Sequence, residues 1–159
     1  MCGCIFRKKY VETEHENLKN WKVLVARVNG SGNLGEALST PVVEAPNEGY
    51  TQTFIGIGSF NEGYTQTFIG IGSFKVEIEA QNALKYIKSK FCRTMLGILK
   101  ITQDNNRDTW RMVPLQDFTA QSDIDWSKSV AEIDQQLYRK YDLTADEIEF
   151  IETHVKEMA

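Results

Sequence analysis

The chain has 159 residues, 42% of them hydrophobic and 25% charged, with a formal net charge of −4 and only three prolines. This is the composition of a chain that folds around an apolar core; it excludes disordered, collagenous and coiled-coil classes, and the length fits one ordinary domain with an appendage. The longest apolar run, Met95 to Ile101, is short and broken by Lys100, and the three cysteines are an odd number, so neither a membrane span nor a disulfide framework is predicted and a soluble protein of the reducing cytoplasm is expected.

Residues 1–20 read as an N-terminal extension. Cys2 and Cys4 lie two apart, but Cys92, His15 and His154 add no ligand-like spacing, and Cys2 occupies the place where a myristoylation signal needs glycine. Trp21 to Val28 (WKVLVARV) has strand composition, and NGSGNLGEALSTP after it is an exposed polar loop. Next comes an exact tandem copy. NEGYTQTFIGIGSF runs from Asn47 to Phe60 and again from Asn61 to Phe74, too short and too perfect for a solenoid, so a recent or engineered duplication is expected. Each copy opens on turn chemistry and continues as a β-rich, low-charge run, which predicts strand, turn, strand.

From Val76 to Lys100 the apolar spacing is helical, with Leu84, Ile87, Phe91, Met95 and Ile98 in one stripe. On a single continuous helix Arg93 and Lys100 fall nearly opposite that stripe, with Lys85 and Lys90 on its flanks, all facing solvent or a partner. TQDNNRDTWR is a polar loop, and Trp110 to Phe118 is a short extended segment stopped at Pro114. Ser127 or Ser129 caps a helix through Tyr141, and Thr144 with Glu147 forms a capping box for a last helix to about Met158. The expected class is α+β: a small antiparallel sheet on a central long helix over 21–118, followed by two C-terminal helices in an appendage over 119–159.

The net charge hides an asymmetry. Residues 1–116 hold 14 basic against 11 acidic residues, whereas 117–159 hold 4 against 11, so an acidic tail masks a mildly basic body. Basic residues concentrate between 75 and 111, where a phosphate backbone would dock. Phe54-x-Gly56-x-Gly58 and Phe68-x-Gly70-x-Gly72 mimic the glycine-rich cofactor loop of S-adenosylmethionine-dependent methyltransferases, but no doubly wound sheet fits around them, and glycines that thin a strand for a bulge explain them better. Ser, His and Asp residues form no convincing nucleophilic set, so no catalytic residue is assigned.

From Trp21 onward, the succession KVLVARVNGSG, YTQTFIGIGSF, ALKYIKSKFCRTMLGILKITQDN, DTWRMVPLQDF and DIDWSKSVAEIDQQLYRKYDLTADEIEFIE resembles the C-terminal region of adenine-specific DNA methyltransferases in bifunctional type IIG restriction-modification enzymes. The most specific part is Trp110 to Phe118 with EIDQQLYRKY and EIEFIE after it. The resemblance implies a region that reads the DNA site. It departs from the family in the duplicated strand and in two absent motifs. The prolines Pro41, Pro46 and Pro114 are isolated, so the Asp/Asn-Pro-Pro-aromatic loop of amino-methyltransferases is missing, and so is the nuclease Pro-Asp with Asp/Glu-x-Lys. The expectation is a non-catalytic C-terminal fragment that binds no cofactor itself, with S-adenosylmethionine, and Mg for cleavage, belonging to catalytic domains elsewhere.

On that footing the expected partners are double-stranded DNA and the parent enzyme's methyltransferase domain. Lys85, Lys88, Lys90, Arg93 and Lys100 are candidate phosphate clamps; Gln103, Asn105, Asn106, Arg107 and Arg111 have groups suited to base edges; and Arg27, Asn29 and Ser31 form a third set. The rival expectation is an interaction module whose C-terminal helices dock on a separate catalytic domain.

Overall fold

The computed structural model describes residues 4–5, 19–28, 38–47, 50–51, 68–100, 104–105 and 108–158. Its strands are β1 (Cys4–Ile5), β2 (Trp21–Ala26), β3 (Val42–Glu44), β4 (Tyr50–Thr51) and β5 (Phe68–Phe74); its helices are α1 (Glu77–Lys88), α2 (Lys90–Leu99), α3 (Val130–Lys140) and α4 (Ala145–His154), with a 3-10 turn at Thr109–Met112. The class is α+β, as expected.

β2 is the middle of a three-stranded antiparallel sheet, paired with β3 on one side and β5 on the other. Its WKVLVA run is buried from Lys22 to Val25, with strands on both edges and Val23 and Val25 packed against the helices. β5 is the FIGIGSF of the second repeat copy. Trp21 pairs with Phe74 and Val23 with Ile71, so two steps along β2 face three along β5. This bulge places Gly72 at φ +74°, and a Cβ there would strike the Phe74 ring. The bulge reading of the glycines therefore holds at Gly72. Residues 52–67, which include most of the first copy, lie outside the described residues; Tyr50 and Thr51 pair with β1.

The expected long helix is two helices. Ser89 adopts extended angles, φ −60° and ψ 148°, and its side chain accepts from Cys92 N at 3.1 Å. All four N–H groups that open α2 find partners: Asp134 Oδ2 takes Lys90 N at 3.0 Å, Asp134 Oδ1 takes Phe91 N at 2.9 Å, Ser89 Oγ takes Cys92 N, and Ser89 O takes Arg93 N at 3.2 Å. One extended residue resets the helical phase, which is why Ile98 is 54% exposed and Arg93 only 2%.

The helix pair is the middle layer. On one side Ala83, Ile87 and Leu96 join Val23, Val25 and Leu38; on the other Tyr86, Phe91 and Cys92 join Ile133, Leu137, Tyr138, Ile151 and Val155. Trp110, Val113 and Phe118 touch both clusters. The segment after the 3-10 turn is held between them, with Tyr86 Oη donating to Pro114 O at 2.7 Å, Asn82 Nδ2 to Phe118 O at 2.9 Å and Gln116 Nε2 to Tyr141 Oη at 2.7 Å. Thr144 with Glu147 forms the expected capping box of α4; of the two serines offered for α3 it is Ser129 that caps, and with Glu132 it makes a second capping box, while α4 stops at His154, short of Met158.

Candidate nucleic-acid interface

Past the C-terminal end of β2 the chain meets the start of the polar loop after α2. Val28 forms an isolated antiparallel bridge with Asp104, Asn105 N donates to Arg27 O at 2.7 Å, and Asn105 Nδ2 donates to Ala26 O at 3.0 Å. Arg27 Nε donates to Asp104 Oδ1 at 2.9 Å, and that hydrogen bond and the Asp104 charge hold the guanidinium pKa above its usual value. Two segments far apart in sequence thus share one anchor, and from it the chain continues toward Asn29 and Ser31 on one side and Asn106 and Arg107 on the other. Asn29, Ser31, Gln103, Asn106 and Arg107 themselves lie outside the described residues.

The structure separates the other candidates sharply. Asn105 is completely buried, and its amide serves the anchor rather than a base edge. Lys100 is partly buried near Asp104; burial lowers its pKa and the Asp104 charge partly restores it. Arg111, on the 3-10 turn, is exposed. Lys88 is half-buried, and neither its ammonium nor the Arg111 guanidinium has a hydrogen bond or ion pair among the described residues.

Three clamp candidates need correcting. Arg93 does not face solvent: Nε donates to Lys88 O at 3.1 Å and Ser89 O at 3.3 Å, and Nη2 donates to Lys156 O at 2.6 Å, tying the α1–α2 junction to the segment after α4. Lys85 Nζ donates to Trp126 O at 2.7 Å and Lys128 O at 3.1 Å. Lys90 Nζ pairs with Glu152 Oε2 at 2.5 Å. The acidic tail is therefore folded against the basic helix pair, and a cleft of about 220 Å³ between them is lined by Lys88, Lys90 and Arg93 facing Asp134, Glu152 and Glu157.

The residue that sequence reasoning missed is Asp134. Burial, opposed by the two backbone N–H donors and aided by Glu152, raises its pKa to about 6. A signal existed: Ile133, Asp134, Leu137 and Tyr138 share the buried face of α3, so an acid stands on an apolar stripe.

No group of three or more metal-ligating side chains occurs among the described residues, and no helix among them is long and apolar enough to cross a membrane. The second Phe-x-Gly-x-Gly lies within β5, where Gly70 pairs with Leu24 in an antiparallel edge, unlike a strand-to-helix cofactor turn in a parallel sheet. In comparisons with protein-family models, curated proteins and solved structures, nothing matches this chain.

Proposed function

We propose that this chain is a non-catalytic DNA target-recognition unit of a restriction-modification adenine methyltransferase, acting beside a catalytic domain that carries S-adenosylmethionine and, for cleavage, Mg. The observation that carries the reading is the shared anchor at one end of the sheet, where Arg27 and Val28, which precede Asn29 and Ser31 in sequence, meet Asp104 and Asn105, which precede Asn106 and Arg107. Rigid scaffolds that present paired polar loops are suited to reading base edges, while cations nearby supply the sequence-independent attraction. Arg27, Lys100, Arg107 and Arg111 are cations on or next to these segments. Lys88 is the remaining clamp on the helix pair, since Lys85, Lys90 and Arg93 are bonded within the chain.

A second reading has its own support. The C-terminal helices do not offer the expected docking stripes, because Ile133, Leu137, Ile151 and Val155 are buried in the chain's own core; Met112 on the 3-10 turn, 47% exposed, and Leu115 just after it, 93% exposed, are the apolar side chains that support a docking surface instead. Fluorescence anisotropy of the purified chain with mixed-sequence duplex DNA across a salt series separates the two. Affinity that falls steeply with salt supports DNA docking and counts its phosphate contacts; absence of binding at low salt moves the interaction module ahead.

A further inference from the structure

The seat that β5 fills beside β2 is demanding. It needs Ile69 and Ile71 against the Val23–Val25 cluster, Phe74 edge-on to Phe118 at 5.8 Å, Ser73 to accept from Asn20 Nδ2 at 2.9 Å, and a glycine at the bulge with φ +74° beneath the Phe74 ring. One run in the chain meets all of these, and the chain has it twice: Ile55, Ile57, Gly58, Ser59 and Phe60 repeat Ile69, Ile71, Gly72, Ser73 and Phe74. We infer that Phe54–Phe60 exchanges with Phe68–Phe74 for the seat beside β2 within one molecule, a fourteen-residue slip that moves the spare copy from before the strand to after it.

Because the two runs are identical, every contact in the seat cancels between the two states, and only the connections differ. With the second copy seated, the chain crosses from Glu44 to Phe68 and passes from Phe74 to α1 through Lys75 and Val76 alone. With the first copy seated, the crossing is 45–53 and the exit is 61–76. Loop-closure entropy favours the first copy through its shorter crossing and the second through its tight exit into α1, so the two states differ by a modest factor. The structure seats the second copy, and a modest factor leaves the first copy in a populated minority. The ladder between β1 and Tyr50–Thr51 has an identical alternative as well, since Tyr64 and Thr65 repeat that pair.

The test uses the bulge glycine in the full chain. Valine at this φ is strained and collides with the aromatic ring, so each substitution closes one seat. Gly58→Val is expected to leave the denaturation midpoint within error of the wild type. Gly72→Val is expected to lower the folded-to-unfolded ratio only about tenfold, since the first copy takes over, and the double variant by more than a hundredfold. Gly72→Val as damaging as the double would overturn the exchange, and so would a double variant as stable as the wild type. Thiol trapping adds a second measurement that does not depend on stability. Val25 pairs with Ile69 in the seated state, so with an added oxidant to take up the two thiol electrons, a chain carrying Val25→Cys and Ile55→Cys is expected to cross-link within the molecule, and several-fold faster once Gly72→Val is added. Failure of the two introduced thiols to join in that background, or a bond formed only between molecules in proportion to concentration, overturns the proposal.

Discussion

Asp134, on α3, accepts the first two N–H groups of α2, Lys90 N at 3.0 Å and Phe91 N at 2.9 Å, and so caps a helix forty-odd residues away in sequence. Its pKa of about 6 lies above the value for an exposed aspartate, with burial as the main cause, so the folded state holds its proton more tightly than the unfolded one. Stability from this group is complete below pH ~4 and is lost as pH rises through about 6. Asn at this position does not titrate. The stability of the wild type relative to Asp134→Asn should therefore fall between pH 4 and pH 7, by up to roughly 3 kcal/mol from the linkage relation. Urea unfolding of both proteins at four pH values measures it, and a difference that stays flat would refute the assignment.

Ser89 supplies the break between α1 and α2 and the cap on Cys92 N. Ser89→Ala should cost about 1 kcal/mol, and Ser89→Gly only a few tenths, because glycine tolerates the cap conformation. Denaturant midpoints measure both; a Ser89→Ala chain as stable as the wild type would mean that the hydroxyl contributes nothing.

Arg93 tests the division between structure and recognition. Because it is buried and bonded to three carbonyls, Arg93→Ala should destabilise the fold by roughly 2–4 kcal/mol, and Arg93→Lys should recover only part, since an ammonium cannot span the same acceptors. A folded variant that removes the charge, Arg93→Gln, should bind duplex DNA with the salt slope of the wild type. A slope reduced by about one would return Arg93 to the phosphate clamps.

Arg107→Ala, in the loop rooted at Asp104, should alter site choice or cost roughly 1–3 kcal/mol on the preferred site, whereas Lys88→Ala should weaken all sequences alike. Site-selection binding with both variants decides this, and indistinguishable uniform losses would remove Arg107 from the readout set.

The neighbouring ion pair gives a complementary prediction. Arg27 and Asp104 are both substantially exposed, so Asp104→Ala should cost at most about 1 kcal/mol of stability. If the anchor sets the geometry of the polar segments, the same change should reduce discrimination between DNA sites much more than it reduces affinity for mixed-sequence DNA. Competition binding with cognate and mixed duplexes reads the ratio.

The parts of this fold legible in sequence are those governed by local chemistry. Thr144 with Glu147 announced α4, a serine cap at 127 or 129 announced α3, and WKVLVA announced its strand. The helix break at Ser89 was not legible, because the residues on either side keep a helical spacing and the group that makes the break favourable, Asp134, lies on another helix. The clamp residues followed from that error, since the inward turn of Arg93 depends on the phase reset at Ser89. Lys85 and Lys90 were misplaced for a related reason: nothing in 75–100 discloses that Trp126 O and Glu152 sit opposite. The approach of Arg27 to Asp104 was equally hidden, although both flanking segments were singled out separately.

The two capping boxes also bear on the order of events in folding. They close their helices through residues three apart, and the two helices are joined by a short connection at 141–144, so each helix can start early from near neighbours. The pairings of Trp21 with Phe74 and Val28 with Asp104 must close long stretches of chain first. The anchor beneath the polar segments is thus expected to form late, and in pulse-labelled refolding the amide of Asn105 should gain protection after that of Leu137.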